Sequence, residues 1–317
     1  MKPSRSVDLA RARHLFGDYP DADQLLARVG AAVVRAGGGS ARVGVSTQGR
    51  ELVAFTFGRP GARFLLTSLV HGNEVVGAVA LARAVERIVD VGLHRHASFV
   101  ALPVVNPDAL AANLEQVRRG RLGAQRCNAR GVDLNRNFPT HGRPRSRHPM
   151  AGSRSRLSPY FMGEAPLSEP ESRAVHEVAT ARPPEVSLSF HSFGERLLYP
   201  YAHTTRVHPR VDEYEALGRA WNSALDRPYR AQSSASWYPV DGDLDDHLDA
   251  RHGTLALTVE VGRLDRRLLH PARLVNPFSW MNPLDAEREA ERVAGGVVAL
   301  VRAHLRAAAA STLAAAE

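Results

Sequence analysis

Apolar runs that stop abruptly on a polar, chemistry-bearing side chain recur along this chain, and segments with helical apolar spacing lie between them. Residues 64–70 form one such run and stop at His71. Residues 98–105 form another, closed by Asn106-Pro107-Asp108, while residues 186–191 end on His191 and residues 255–260 end on Glu260. Runs of this length, rich in β-branched and large aliphatic residues, predict strands buried on both faces. Helical spacing is clear at 21–35, where Leu25, Leu26, Val29 and Val33 precede Gly37-Gly38-Gly39. It returns at 74–89, 174–181, 211–225 and 285–305, and Ser168-Glu169-Pro170-Glu171 reads as a helix start with Ser168 as the cap. Residues 43–45 and 51–57 predict short strands. Strand, helix and strand at this spacing imply crossover units in a largely parallel sheet. Residues 106–160 show no regular pattern, residues 233–249 read as turn-like and acidic, and a long irregular stretch in a compact domain is usually functional.

The composition narrows the class. With 317 residues and 44% hydrophobic content the chain can bury a large core, so disorder is excluded as a whole-chain reading. No 18 consecutive apolar residues occur, and the first 39 residues carry Arg and Asp throughout with no apolar core of a secretory signal. The expectation is a soluble, cytoplasmic protein with no membrane partner. The single cysteine, Cys127, cannot form an intramolecular disulfide and is expected to be a bystander thiol.

Charge adds one local feature. The net charge of +8 comes from 41 basic and 33 acidic residues, and every basic residue except Lys2 is arginine. Between Arg118 and Arg156 there are eleven arginines and one acid, Asp133. So one-sided a segment fits nucleic acid, a pocket for anionic ligands or a solvated loop. Only Phe138 interleaves it before residue 156, which weighs against single-stranded nucleic acid as a partner.

The strand ends carry the candidate chemistry. His71 and Glu74 bracket one tight strand-to-helix turn at Gly72, and His191 and Glu260 end two further strands. In open α/β sheets, sites assemble at the carboxyl ends of strands. Two histidines and a carboxylate are a ligand set of catalytic zinc, with the fourth position kept for water.

These residues, with Asn106-Pro107-Asp108, Gly131-Val-Asp-Leu-Asn135-Arg136-Asn-Phe138, Ser168-Glu-Pro-Glu171, Ser189-Phe-His191-Ser192 and Thr258-Val-Glu260, occur in the order found in the M14 metallopeptidases. The chain resembles a zinc carboxypeptidase of that family from about residue 19 to residue 305. The resemblance implies a single-domain α/β/α sandwich with a mixed, largely parallel central sheet at 19–308, an N-terminal extension at 1–18 and an Ala-rich tail at 309–317. It implies one Zn²⁺ per chain held by His71, Glu74 and His191, with Glu260 as general base and Arg126 as oxyanion donor. Asn135 and Arg136 would clamp the terminal carboxylate of a peptide substrate, and Tyr238 would close over it. Counting back from Glu260 places Asp245 at the position that sets specificity, where an acid favours a lysine, arginine or diaminopimelate terminus; Asp243 and Asp246 are neighbours, and which carboxylate faces inward stays open. His247 stands where the family commonly has tryptophan. With no room for a long inhibitory pro-domain, the chain resembles short bacterial members that trim cell-wall peptides. The alternatives are a deglutamylase or small-molecule deacylase on the same fold, or a non-catalytic zinc- or nucleic-acid-binding protein.

Overall fold

Alternate residues of the apolar runs face opposite sides of one sheet. In the computed structural model, which describes residues 17–140, 146–264 and 270–314, Phe64 and Leu66 enter one core and Leu65 a second. Phe99 and Ala101 oppose Val100 and Leu102 in the same way, and Leu257 and Val259 oppose Ala256. Strands covered on both faces carry apolar residues at every position, which is why they read as unbroken runs.

The eight strands are β1 (Gly39–Val45), β2 (Glu51–Gly58), β3 (Ala62–Ser68), β4 (Ala97–Leu102), β5 (Val186–His191), β6 (Arg196–Tyr199), β7 (Arg230–Ser233) and β8 (Leu255–Glu260). Their order is β1-β2-β4-β3-β5-β8-β6-β7. The central four, β4-β3-β5-β8, are parallel; β1 and β2 run antiparallel at one side, and β6 runs antiparallel to β8 at the other. On the Phe64 face lie α1 (Ala22–Arg35), α2 (Val75–Asp90), α3 (Pro107–Arg118), α5 (Val211–Asn222) and α9 (Ala286–Ala314). On the Leu65 face lie α4 (Pro170–Ala181) and α6 (Leu244–His252). The result is an α/β/α sandwich with a mixed, largely parallel sheet. The short helices α7 (Pro271–Leu274) and α8 (Pro277–Met281) precede α9. By length and composition, residues 277–310 are apolar enough to cross a membrane, yet Ala290, Val293, Ala294, Val297 and Val301 are buried in the core that α9 shares with α2 and α5.

The structure corrects several expectations. The stretch expected to be irregular after Asn106 opens with α3, because Asn106 accepts a hydrogen bond from Ala109 N at 3.2 Å, Pro107 occupies the first turn, and Leu110, Leu114 and Val117 share a buried side. The acidic stretch expected to be turn-like contains α6, which stops at Gly253 with φ of 65°. Strands β6 and β7 have four residues each, too few for a pattern to register. At α4 the cap position belongs to Glu169, with Pro170 next, and Ser168 instead donates to the Glu169 carboxylate at 2.8 Å. Residues 1–16 of the expected extension, Arg143 and Arg145 of the arginine-rich segment, and residues 315–317 of the tail lie outside the described residues.

Candidate metal centre and active site

Three parallel strands deliver the candidate ligands to one edge of the sheet. His191 and Glu260 end β5 and β8 in direct register, and β3 ends three residues before His71. Leu69 takes a left-handed backbone with φ of 51° although it is not glycine, a strained turn that redirects the chain from the sheet toward the site. Gly72 is needed for close approach, since a Cβ there would meet the Ala109 Cβ of α3 at 2.2 Å. Glu74 then stands at the N-cap of α2. The first turn of that helix is completed from far along the chain: Asn282 accepts from Val76 N at 3.0 Å and donates to Asn73 O at 2.7 Å. Sequence reasoning missed Asn282, because nothing local marks it.

The donor atoms converge. Glu74 Oε1 lies 2.9 Å from His71 Nδ1, and Glu74 Oε2 lies 2.9 Å from His191 Nδ1. The two Nδ1 atoms are 3.1 Å apart. His71 Nε2 faces the Asp133 carboxylate at 3.2 Å, and His191 Nε2 meets Ser189 Oγ at 3.1 Å. Burial holds His191 below its ordinary pKa, favouring the neutral ring. With Asp133 and Ser189 available to take an Nε2 hydrogen from each ring, two Nδ1 atoms and a carboxylate converge on one point, an arrangement that a divalent cation satisfies. The residues present therefore fit zinc. Among the described residues these are the only three His, Cys, Asp or Glu side chains grouped closely enough to hold a metal.

The charges around this centre are arranged in opposition. Burial opposes ionisation of Asp133, but the guanidiniums of Arg126 and Arg136 outweigh it and hold the carboxyl well below its usual range. Asp133 accepts from Arg126 Nε at 3.0 Å, and Arg126 Nη1 reaches Glu74 at 3.3 Å. Burial and the nearby Glu74 charge push Glu260 well above the carboxylate range, and its Oε2 is buried with no hydrogen-bond partner among the described residues. Both features suit a proton acceptor awaiting its substrate.

An open cavity joins these groups to the rest of the predicted set. His71, Glu74, Arg126, Asn135, Arg136, His191, Tyr238 and Glu260 all line it. Arg136 donates to Met150 O through Nε and Nη2 and to Asn135 O through Nη1, which occupies three of its five N–H groups. Asn135 Oδ1 accepts from Leu244 N at 3.1 Å, so its amide hydrogens remain for a ligand. Tyr238 lies against Arg136, and burial raises its phenol. Asp245 does not line the cavity: it is turned to β8, where Thr258 Oγ1 donates to it at 2.7 Å, and Asp243 supplies the acid in the wall. Asp243 Oδ1 is buried and unpartnered among the described residues. Asp246 accepts from Ala202 N and His203 N and does not line the cavity. Cys127 is a partly buried free thiol pushed up to about 12 by burial. Asp133 and Tyr160, which also borders the cavity, were passed over as site residues in the sequence. Asp133 sits within the Gly131–Phe138 motif; nothing marked Tyr160.

A sequence profile described as zinc carboxypeptidase matches residues 40–282. Human mast cell carboxypeptidase A is 27% identical over 157 residues, covering 46% of this chain and 36% of that protein. Carboxypeptidase B of Astacus astacus is 24% identical over 242 residues, covering 69% and 77%. Thus the match spans only about a third of the first of these relatives. Among solved structures, carboxypeptidase A of Helicoverpa armigera superposes with a TM-score of 0.79 at 20% identity, over 95% of this chain and 81% of that one. The metallo-carboxypeptidase of Burkholderia cenocepacia gives 0.62 at 18% identity, over 91% and 70%. At these identities the superpositions establish the fold.

Proposed function

Since the chain belongs to the zinc carboxypeptidase family, we propose that it is a zinc-dependent metallocarboxypeptidase that removes a C-terminal residue bearing an amine or guanidinium. One observation carries this reading: the candidate ligand triad, Glu260 with its unpartnered Oε2 and the Asn135–Arg136 pair all face a single cavity with Asp243 in its wall. His71, Glu74 and His191 would hold the ion, which when bound supplies Lewis acidity and lowers the pKa of water from 15.7 to about 7.

The chain's own groups account for the rest. Arg136 has two N–H groups left for a carboxylate, and Asn135 adds amide donors, which together select a free chain end. Glu260 accepts a proton from the attacking water as its oxygen bonds to the scissile carbonyl carbon. The same carboxyl then gives that proton to the amine nitrogen as the C–N bond breaks. Arg126, held charged by Asp133 and Glu74 against the cost of burial, faces the oxygen on which negative charge develops. Tyr238 closes the cavity over the terminal residue. Asp243 offers the substrate side chain a buried oxygen with no competing partner, so lysine, arginine and diaminopimelate termini suit it. Cell-wall peptides ending in diaminopimelate are one such substrate class. The arginine-rich segment supports the same reading: Arg126 and Arg136 turn inward, while Arg119, Arg130 and Arg156 pair with Glu115, Glu169 and Glu164.

Digestion of a peptide library that includes muropeptides, by the zinc-loaded protein and read by mass spectrometry, tests the proposal. Single C-terminal residues should be released, with Lys-ended chains preferred to Glu-ended ones, and chelation should abolish release. Glu260→Gln should lose roughly 10²-fold or more in turnover. Unchanged turnover in that variant would remove Glu260 from the mechanism. Preference for Glu-ended chains would overturn the role of Asp243 and favour a deglutamylase.

A further inference from the structure

The two arginines that the proposed reaction uses share one aromatic ring. The guanidinium carbon of Arg126 lies 5.8 Å from the centroid of the Tyr160 ring, and that of Arg136 lies 5.7 Å from the same centroid. We propose that Tyr160 is a positioning residue, whose ring holds both guanidiniums in the orientation that carboxylate recognition and oxyanion stabilisation require. The proposal rests on the roles given above to Arg126 and Arg136, and it adds a residue outside the family's motifs.

Three observations converge on it. First, the ring answers an electrostatic need. Two cations that border one largely buried site repel one another, and the negative π-face of an aromatic ring within about 6 Å of each offsets part of that cost without consuming an N–H donor. The Asp133 carboxylate beside both also offsets part of it, but takes up the Nε–H of Arg126 in doing so. Second, the backbone that carries the ring is fixed in place. Ser153 N donates to Tyr160 O at 2.8 Å, Met162 N donates to Ser153 O at 2.9 Å, and Tyr160 N donates to Ser158 Oγ at 3.1 Å. Third, the anchor is continuous with the metal centre. Phe161 O, one residue on, accepts from the backbone N–H of Asp133, whose carboxylate orients both His71 and Arg126. Pro159 O, one residue before, lies 3.2 Å from Cys127 Sγ beside Arg126. The same loop also supplies Met150 O, which fixes Arg136. Arginine-rich residues 146–162 are therefore a buttress of the active site, with Tyr160 as its point of contact.

The test compares the zinc-loaded wild type with Tyr160→Phe and Tyr160→Leu. The probes are a lysine-ended tripeptide and its C-terminal amide, with binding measured calorimetrically in the Glu260→Gln background and turnover measured without it. Tyr160→Phe keeps the ring face and should stay within about twofold of wild type in both measurements. Tyr160→Leu should weaken binding of the free-carboxylate peptide by roughly 2- to 30-fold while leaving the amide unchanged, and should lower kcat as well as raise KM. A merely structural loss would weaken both peptides alike. Equal free-acid to amide ratios in wild type and Tyr160→Leu would overturn the proposal, and so would equal losses in Phe and Leu variants. If Tyr160→Leu does not fold, Tyr160→Met, with similar reach and no ring, carries the same expectations. Absence of hydrolysis by the wild type would refute the carboxypeptidase reading itself, whereas hydrolysis indifferent to Tyr160 would refute only this inference.

Discussion

Asp133 is where a single atom type decides the most. Its carboxylate accepts from His71 Nε2, Arg126 Nε and the backbone of Asn135, thereby tying to one charge the residues proposed as metal ligand, oxyanion donor and carboxylate clamp. Replacing a carboxylate with an amide keeps the shape and removes both the charge and one acceptor. Asp133→Asn should lower zinc affinity by about 10- to 100-fold, the usual cost of losing the group that orients a metal-bound histidine. Competition against a chromogenic chelator measures this directly, and wild-type retention of zinc would show that His71 is held by its ring packing alone. Turnover should fall further than zinc loss explains when the variant is assayed at saturating metal, because Arg126 loses its only bond through Nε.

At the scale of elements, the site depends on loops that press backbone against backbone. Gly242 has φ of 76°, and a Cβ there would lie 2.6 Å from Arg136 O and 2.8 Å from Phe138 O. Gly253, at the end of α6, has φ of 65° and nothing within 4 Å of the same position. Both substitutions to Ala carry the left-handed penalty, but only Gly242→Ala adds a collision, so it should be more destabilising by about 1–3 kcal/mol in urea unfolding. It should also raise KM, since the collision falls on the clamp; equal stability losses at the two sites would refute the steric account. The same contrast explains what the sequence made legible. His71, His191 and Glu260 stood out because doubly buried parallel strands read as apolar runs, and a polar side chain at the end of each breaks the run. Helix α6 did not stand out, because its buried side carries Asp245, Asp246 and His247, whose partners come from other segments. Counting residues back from Glu260 reached Asp245, yet positions two apart at a helix start point in different directions, and Asp243 is the one that meets the cavity. Asn282 and Tyr160 act through contacts with segments distant in the chain, which no local pattern encodes.

Taken whole, a molecule of net charge +8 buries three carboxylates, Asp243, Asp245 and Glu260, each with an unpartnered oxygen among the described residues, and two of them, Asp243 and Glu260, line the cavity. Burial raises Asp245 to about 7, and burial with the neighbouring Asp246 and Asp245 charges raises Asp243 well above the carboxylate range. Native Asp245 therefore keeps its proton up to about pH 7, whereas an unfolded aspartate loses it near 3.9, and the unfolded chain binds fewer protons in that interval. Stability should fall as pH rises from about 4 to about 7 and level off above. In Asp245→Asn that portion of the fall should vanish, as melting temperatures at pH 5 and 7.5 would show. Substrate choice should follow the same acids with the opposite sign. An ammonium entering beside Asp243 favours its ionised form, so kcat/KM for lysine-ended peptides, divided by that for leucine-ended peptides, should climb as pH rises above the ordinary carboxylate range. Taking the ratio cancels every titration common to both substrates, including those of Glu260 and the metal centre. Asp243→Asn should flatten the ratio and lower it. A ratio independent of pH in the wild type would mean that the lysine side chain never approaches Asp243, and the source of specificity would then have to lie on another wall of the cavity.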